Sequence, residues 1–180
     1  MMMKVVYYVA ISIDGFICGL DSDISEFVGE GNGISQYLAD LKEFETVIMG
    51  RKTYEFGYDF GLKPGQPSYP HMNHYIFSKS LSFENKNEKV HVLADYETET
   101  IRELKETSKT DIYLCGGGIF ASWLLEHKLI DVLKVKLNPL LLGDGIRLFG
   151  NSKEGYKLNL TDTQSYDGGL VFNTYDILYN

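Results

Sequence analysis

Apolar positions along this chain gather into short runs, and the runs alternate with stretches of helical spacing. Lys4 to Ser12, rich in Val, Tyr and Ile, is apolar on both faces and reads as a central strand. Asp14-Gly15 closes it with a turn signal. Cys18 to Gly33 is polar, acidic and glycine-spotted, and reads as a loop whose length points to function. In Ser35 to Phe44 the residues Tyr37, Leu38, Leu41 and Phe44 recur at helical spacing. Thr46-Val47-Ile48-Met49 is a second buried strand, followed by Gly50-Arg51-Lys52 and a short helix from Thr53. Gly57 to Met72 is irregular. His74-Tyr75-Ile76-Phe77 and Val90-His91-Val92-Leu93 are the third and fourth strands, and Glu97 to Thr107 is a charged amphipathic helix.

The fifth strand, Asp111 to Cys115, runs into Gly116-Gly117-Gly118 and then a helix from Ile119 towards His127. Asp131 to Leu137 is a sixth strand, ended by Asn138-Pro139. Leu140 to Phe149 is a loop around Gly143-Asp144-Gly145 that returns to an apolar anchor at Leu148-Phe149. Tyr156 to Tyr166 and Leu170 to Leu178 alternate as two strands joined across Asp167-Gly168-Gly169, a hairpin signal. Strands alternating with helices predict an α/β fold: a mixed, mostly parallel central sheet covered on both faces, ending in an antiparallel hairpin. No linker divides residues 1–180, so one domain is expected.

Charge and composition narrow the partners. The net charge of −8 argues against a nucleic-acid binder, which needs a basic patch. No apolar run approaches membrane-spanning length, and Met1 to Lys4 leads straight into a strand without a cleavage-site pattern. Two cysteines, Cys18 and Cys115, are too few for a disulfide framework; free thiols in a cytoplasmic protein are the expectation. His71 and His74 lack a partner set for a metal, and no zinc-deaminase signature is present.

Three strand ends share a chemistry. Strand two ends in Gly50-Arg51-Lys52-Thr53, strand three in Ser78-Lys79-Ser80 and strand five in three glycines before a helix. In a parallel sheet these ends lie on one edge, where ligands bind. Bare amides at a helix N-terminus favour a phosphate, and the cations suit a second one. NADPH has phosphates at two such separated places. Each piece has a plainer reading: the glycines as a tight turn, Arg51, Lys52 and Lys79 as solvated charges. Gly116-Gly117-Gly118-Ile119-Phe120-Ala121 also fits the dinucleotide fingerprint G-x-G-x-x-A. That motif opens a chain's first βα unit, whereas here more than half the chain precedes it.

Met49-Gly50-Arg51-Lys52-Thr53-Tyr54-Glu55, Ile76-Phe77-Ser78-Lys79 and Tyr113-Leu114-Cys115-Gly116-Gly117-Gly118 resemble the cofactor motifs of the dihydrofolate reductase fold, in the same order. Ser12-Ile13-Asp14-Gly15-Phe16-Ile17 and the stretch from Asn138 to Phe149 are similar to a narrower branch. That branch is the reductase (C-terminal) domain of the bifunctional riboflavin-pathway deaminase–reductase and its stand-alone bacterial relatives. The resemblance spans nearly the whole chain and implies a three-layer α/β/α fold, NADPH as cofactor and a homodimer. It implies that Ala10 meets the nicotinamide carboxamide through its backbone and that Ile17 lies against the nicotinamide, with the loop after Asp14 as a lid. Gly50, Arg51, Lys52 and Thr53 would hold phosphates, with Ser78 and Lys79 at the 2′-phosphate. Gly116, Gly117, Gly118, Ile119 and Phe120 would cradle the pyrophosphate, with a cis peptide at Gly116-Gly117.

Dihydrofolate reductases carry a pterin-binding acid on the first helix. The matching position here falls near Ile34, and Asp40 lies later, on the polar face. The riboflavin-type reductases also lack that acid. The expected activity is therefore NADPH-dependent reduction of the type carried out by 5-amino-6-(5-phosphoribosylamino)uracil reductase. The alternatives are reduction of another pterin-like, folate-like or small carbonyl substrate, and a non-catalytic NADP-binding protein. Hydride acceptors need a proton at the neighbouring heteroatom. Asp14 is a candidate for substrate binding or proton relay, and equally a turn-forming Asp before Gly. Tyr37 and Leu38 either line the substrate pocket or belong to the core.

Overall fold

A computed structural model of the protein describes residues 1–179. An eight-stranded sheet forms its centre. It is built from β1 (Val5–Ile11), β3 (Thr46–Gly50), β4 (Asn73–Phe77), β5 (Val90–Leu93), β6 (Ile112–Gly116), β7 (Val132–Leu137), β9 (Lys157–Ser165) and β10 (Val171–Leu178). Their spatial order is β5-β4-β3-β6-β1-β7-β10-β9. Every pairing from β5 to β7 is parallel; β10 runs antiparallel to both β7 and β9. The expected mixed sheet with a terminal hairpin is therefore present.

Helices cover both faces. α3 (Thr98–Thr107) and α4 (Gly118–Glu126) pack Ile101, Leu104, Phe120 and Leu124 against Val5, Tyr7, Ile48 and Leu114. On the other face, α1 (Asn32–Leu41) and α2 (Arg51–Phe56) bring Leu41 and Tyr54 onto Val6, Tyr8, Val47 and Tyr113. The strand residues alternate between the two clusters, as the period of two requires.

Several boundaries depart from the sequence reading. α1 starts at Asn32, inside the expected loop, and ends before Phe44, where the chain leaves through short turns at Lys42, Glu43 and Phe44. Gly31, at φ 102, supplies the abrupt start. α2 starts at Arg51, because Gly50 keeps extended geometry to the last residue of β3. The segment after Asp14-Gly15 contains a short strand, β2 (Phe16–Cys18), which pairs antiparallel with β8 (Ile146–Arg147) from the late glycine-rich loop. Both are too short for a periodicity signal, and their partners lie far apart in sequence.

His74 provides a pH test of the core. It is fully buried and stacks on Tyr69. Its Nε2 accepts the Tyr69 amide at 3.2 Å, and its Nδ1 lies 3.0 Å from the Met72 carbonyl. That pairing requires a neutral ring, and burial pushes the pKa down from the usual histidine range to about 4. The unfolded chain binds the proton below about pH 6.5. The stabilisation is therefore complete above that pH and declines as pH falls towards 4. Urea unfolding should show stability lower by roughly 2 kcal/mol at pH 5 than at pH 7. A His74→Gln chain, whatever its absolute stability, should lose that part of the slope.

Candidate active site

The parallel strands β3, β4 and β6 end on one edge of the sheet, as expected. β6 carries a bulge there: Ile48 pairs with Leu114 but Met49 with Gly116, so Cys115 has no counterpart on β3. Gly116 (φ 122) and Gly117 (φ 96) then turn the chain into α4. The described residues contain no cis peptide bond, so the Gly116-Gly117 bond is trans, contrary to expectation; the two positive φ values make the turn. A Cβ on Gly116 would lie 3.1 Å from the Tyr7 ring, and one on Gly117 2.9 Å from the Thr53 hydroxyl. The first contact sets the glycine run against β1 and the second sets it against α2. Among the described residues the first-turn amides of Gly118, Ile119 and Phe120 have no backbone acceptor, whereas the Ala121 amide is bonded to the Gly117 carbonyl. Ile119 is 69% exposed above these amides. The Phe120 side chain is instead in the core, stacked on Phe77, so only its backbone faces the edge.

The cationic corners lie close by. Arg51 hydrogen-bonds Glu55 through Nε and Ser80 through its terminal nitrogen at 2.7 Å, which joins α2 to the turn after β4. In that turn the Ser78 hydroxyl accepts the amides of Ser80 and Leu81. Among the described residues Lys79 is held by an exposed contact with Asp95 at 3.6 Å, a pairing of little strength. Lys52 is exposed on α2, with no partner among the described residues. A groove of about 480 Å³ runs alongside, lined by Ser78, Lys79, Lys86 and His91 among others.

At the other end of the edge, Ala10 is half-buried on β1 in register with Lys136 on β7. Ile17 is half-buried on β2. The stretch from Asn138 to Phe149 ties these parts together. Buried Asn138 donates to the carbonyls of Ile11 and Lys136 and accepts the Val28 amide, which anchors the long loop. Asp14 accepts the amides of Leu142 (3.1 Å) and Gly143 (2.8 Å). Hydrogen bonds from the Ser12 hydroxyl and these amides hold its carboxyl at about 2. These bonds make Asp14 a clamp between turn and loop.

On the α1 side of the same end lies a cluster that the sequence reading placed only in part. Tyr37 is in it, its hydroxyl 2.8 Å from that of Tyr113. Tyr69 packs edge-on against Tyr113 and reaches the Cys115 sulfur at 3.6 Å. Lys136 extends over the Tyr37 ring, with Nζ 3.2 Å from its centroid. Leu38, the other expected pocket residue, is 55% exposed. Asp40 is not on a free polar face: it accepts the Tyr8 hydroxyl at 2.8 Å and pairs with Lys134 at 2.6 Å. Burial would raise its pKa, but the bonds from Lys134, Gln36 and Tyr8 outweigh that and hold it below the usual carboxylate range. Lys134 and Lys136 were missed, although their alternation with Leu133 and Val135 marks the face they share.

This edge, with its glycine turn and cationic strand ends on an eight-stranded sheet, defines a protein of the dihydrofolate-reductase-like fold. The chain aligns with an Enterococcus faecalis dihydrofolate reductase in complex with NADP(H) at a TM-score of 0.67 and 15% identity, covering 98% of this chain and 99% of the other. Residues 3–172 match the RibD C-terminal domain, and the chain belongs to that family. The uncharacterized Bacillus subtilis protein YwjB is 31% identical over 169 residues, 91% of this chain and 92% of YwjB. A Shewanella sp. PV-4 protein named for riboflavin biosynthesis superposes with a TM-score of 0.82 at 21% identity, covering 98% of this chain and all of the other. The Thermotoga maritima diaminohydroxyphosphoribosylaminopyrimidine deaminase/5-amino-6-(5-phosphoribosylamino)uracil reductase gives 0.71 at 17% identity; 98% of this chain aligns with 57% of that one.

Proposed function

We propose that the protein is an NADPH-dependent reductase of the riboflavin-biosynthesis type, with 5-amino-6-(5-phosphoribosylamino)uracil as its leading substrate. The observation that carries this reading is the convergence on one sheet edge of the unengaged Gly118–Phe120 amides, the Arg51–Ser80 link and the Ser78-Lys79 turn. The fit to the cofactor is chemical. The amides and the helix dipole suit the pyrophosphate; Ser78, Lys79 and Arg51 suit the 2′-phosphate; exposed Ile119 offers apolar cover. When bound, the cofactor supplies a hydride to the substrate. The chain supplies position, through the Ala10 backbone and Ile17, and exclusion of water, through the loop that Asn138 pins at Val28.

Lys79→Ala should weaken NADPH about tenfold, the strength of one charge-assisted contact, and leave NADH affinity unchanged. Parallel titrations check this; equal loss for both cofactors would place Lys79 away from the 2′-phosphate. Among substrates, NADPH oxidation is expected with the aminouracil and not with dihydrofolate, whose binding acid is replaced at the half-buried Ile34 position.

A further inference from the structure

Lys136 is an anomaly in the packing. It is 8% exposed, next to the C-terminal residue of β7. No carboxylate and no hydrogen-bond acceptor reach its ammonium among the described residues; it lies over the face of Tyr37, with the Cys115 thiol nearby. Lys134, two residues earlier on the same face, shows the ordinary solution, an ion pair with Asp40. A buried, unpaired cation is costly and persists where something else requires it. No side-chain nitrogen or oxygen among the described residues is both sealed from solvent and without a hydrogen-bond partner. The Lys136 nitrogen, which has no such partner, therefore opens onto accessible space.

That space lies at the reacting end of the proposed site. Register places Lys136 beside Ala10 at the C-terminal ends of parallel strands, with Tyr37 from α1, Tyr113 and Cys115 from β6 and Tyr69 from the loop before β4 around it. Phe172 of β10, also in register with Lys136, is apolar. Apart from the Asp40–Lys134 ion pair, the ionisable groups here are held neutral. Burial pushes Tyr37 up to about 12, Tyr69 and Tyr113 well above the usual tyrosine range, and the Cys115 thiol up as well. The Asp14 carboxylate is bonded to the Leu142 and Gly143 amides of the late loop.

We propose that Lys136 is the proton donor of the reduction, resting on the reductase reading: its unpaired ammonium, aimed into the tyrosine-lined space beside Ala10, protonates the heteroatom of a C=N or C=O bond. The carbon of that bond gains the hydride and the heteroatom gains the Lys136 proton. The substrate is thereby reduced by two electrons as NADPH becomes NADP⁺, and the neutral amine recovers a proton from solvent through the opening. The surrounding rings suit a planar, electron-poor heterocycle. Desolvation lowers the ammonium from the usual lysine range to about 8, which matches a donor working near neutral pH.

The test compares wild type, Lys136→Met and Lys136→Arg. NADPH affinity is expected to be the same in all three; a wild type that takes no NADPH overturns the reductase reading and the donor with it. Thermal unfolding is expected at a higher temperature in Lys136→Met than in wild type at pH 7, because an unpaired charge is removed. A lower temperature assigns Lys136 a structural role and overturns the proposal. With the aminouracil, kcat should fall about 100-fold or more in Lys136→Met with little change in KM. Lys136→Arg, which keeps the charge but cannot release the proton, should fall as far. The wild-type rate should decline above about pH 8, and that limb should vanish in Lys136→Met. A variant that keeps the wild-type rate and pH profile overturns the role of Lys136 alone. Where wild type binds NADPH yet does not oxidise it with the aminouracil, that substrate is wrong, and the direction of the unfolding shift supports or overturns the donor.

Discussion

Gly145→Ala should lower the melting temperature by roughly 10 °C or more. Gly145 sits at φ 150, and a Cβ there would lie 2.2 Å from the Cys18 carbonyl oxygen, with Gly19 Cα at 3.1 Å. Both obstacles are backbone, so no side chain can swing aside. Relief requires parting β8 from β2, which are joined at Cys18 and Ile146. The same movement strains the Leu148 amide bond to the Gly15 carbonyl and the Asp14 clamp. Backbone strain and lost hydrogen bonds together come to about 3–5 kcal/mol. In a chain of this size each kcal/mol shifts the midpoint by about 2–4 °C. Gly155→Ala is the control, since a Cβ there meets nothing within 4 Å. Calorimetric scans of the two variants should differ clearly; equal midpoints would mean that the β2–β8 pairing is not held as described.

Gly117→Ala should cost about 100-fold in NADPH affinity while the chain stays folded. Gly117 combines φ 96 with a virtual Cβ 2.9 Å from the Thr53 hydroxyl. At φ 96 and ψ 120 an alanine is strained by about 1–3 kcal/mol, and the backbone shift that relieves it turns the first α4 amides off the phosphate. Rotating Thr53 away removes one more polar contact from the phosphate corner, about 1–1.5 kcal/mol. Together these span the roughly 2.8 kcal/mol of a 100-fold change. Here the obstacle is a side-chain hydroxyl at a surface cleft, so the damage is local. Cofactor titration combined with unfolding checks both halves. Unchanged affinity would separate the glycine turn from the cofactor site.

The central sheet was readable because its parallel strands are continuous apolar runs that end in punctuation: Gly50, Ser78, Gly116 and Asn138. The meeting of those strand ends on one edge was readable for the same reason, since topology places them together without any knowledge of side-chain geometry. The short β2–β8 pair was not readable, being fixed by contacts between Phe16–Cys18 and Ile146–Arg147 that no local pattern announces. The turn at Gly116-Gly117 was placed correctly but with the wrong peptide geometry. Asp14 shows why an acid beside a site is ambiguous: its role depends on the amides of Leu142 and Gly143, far along the chain. Of the tyrosine–lysine cluster only Tyr37 was placed, because Tyr37, Tyr69, Tyr113 and Lys136 come from four separate segments. Each reads alone as an ordinary core or surface residue.

The proposed NADPH site, built from the glycine turn and the two cationic strand ends, lies beside a natural optical probe. The protein has a single tryptophan, Trp123, in the helix that follows the glycine turn and stacked on Phe120. Excitation of Trp123 during an NADPH titration should give saturable energy transfer to the reduced nicotinamide, with NADPH binding more tightly than NADH. Absence of saturable transfer with either cofactor would contradict the account.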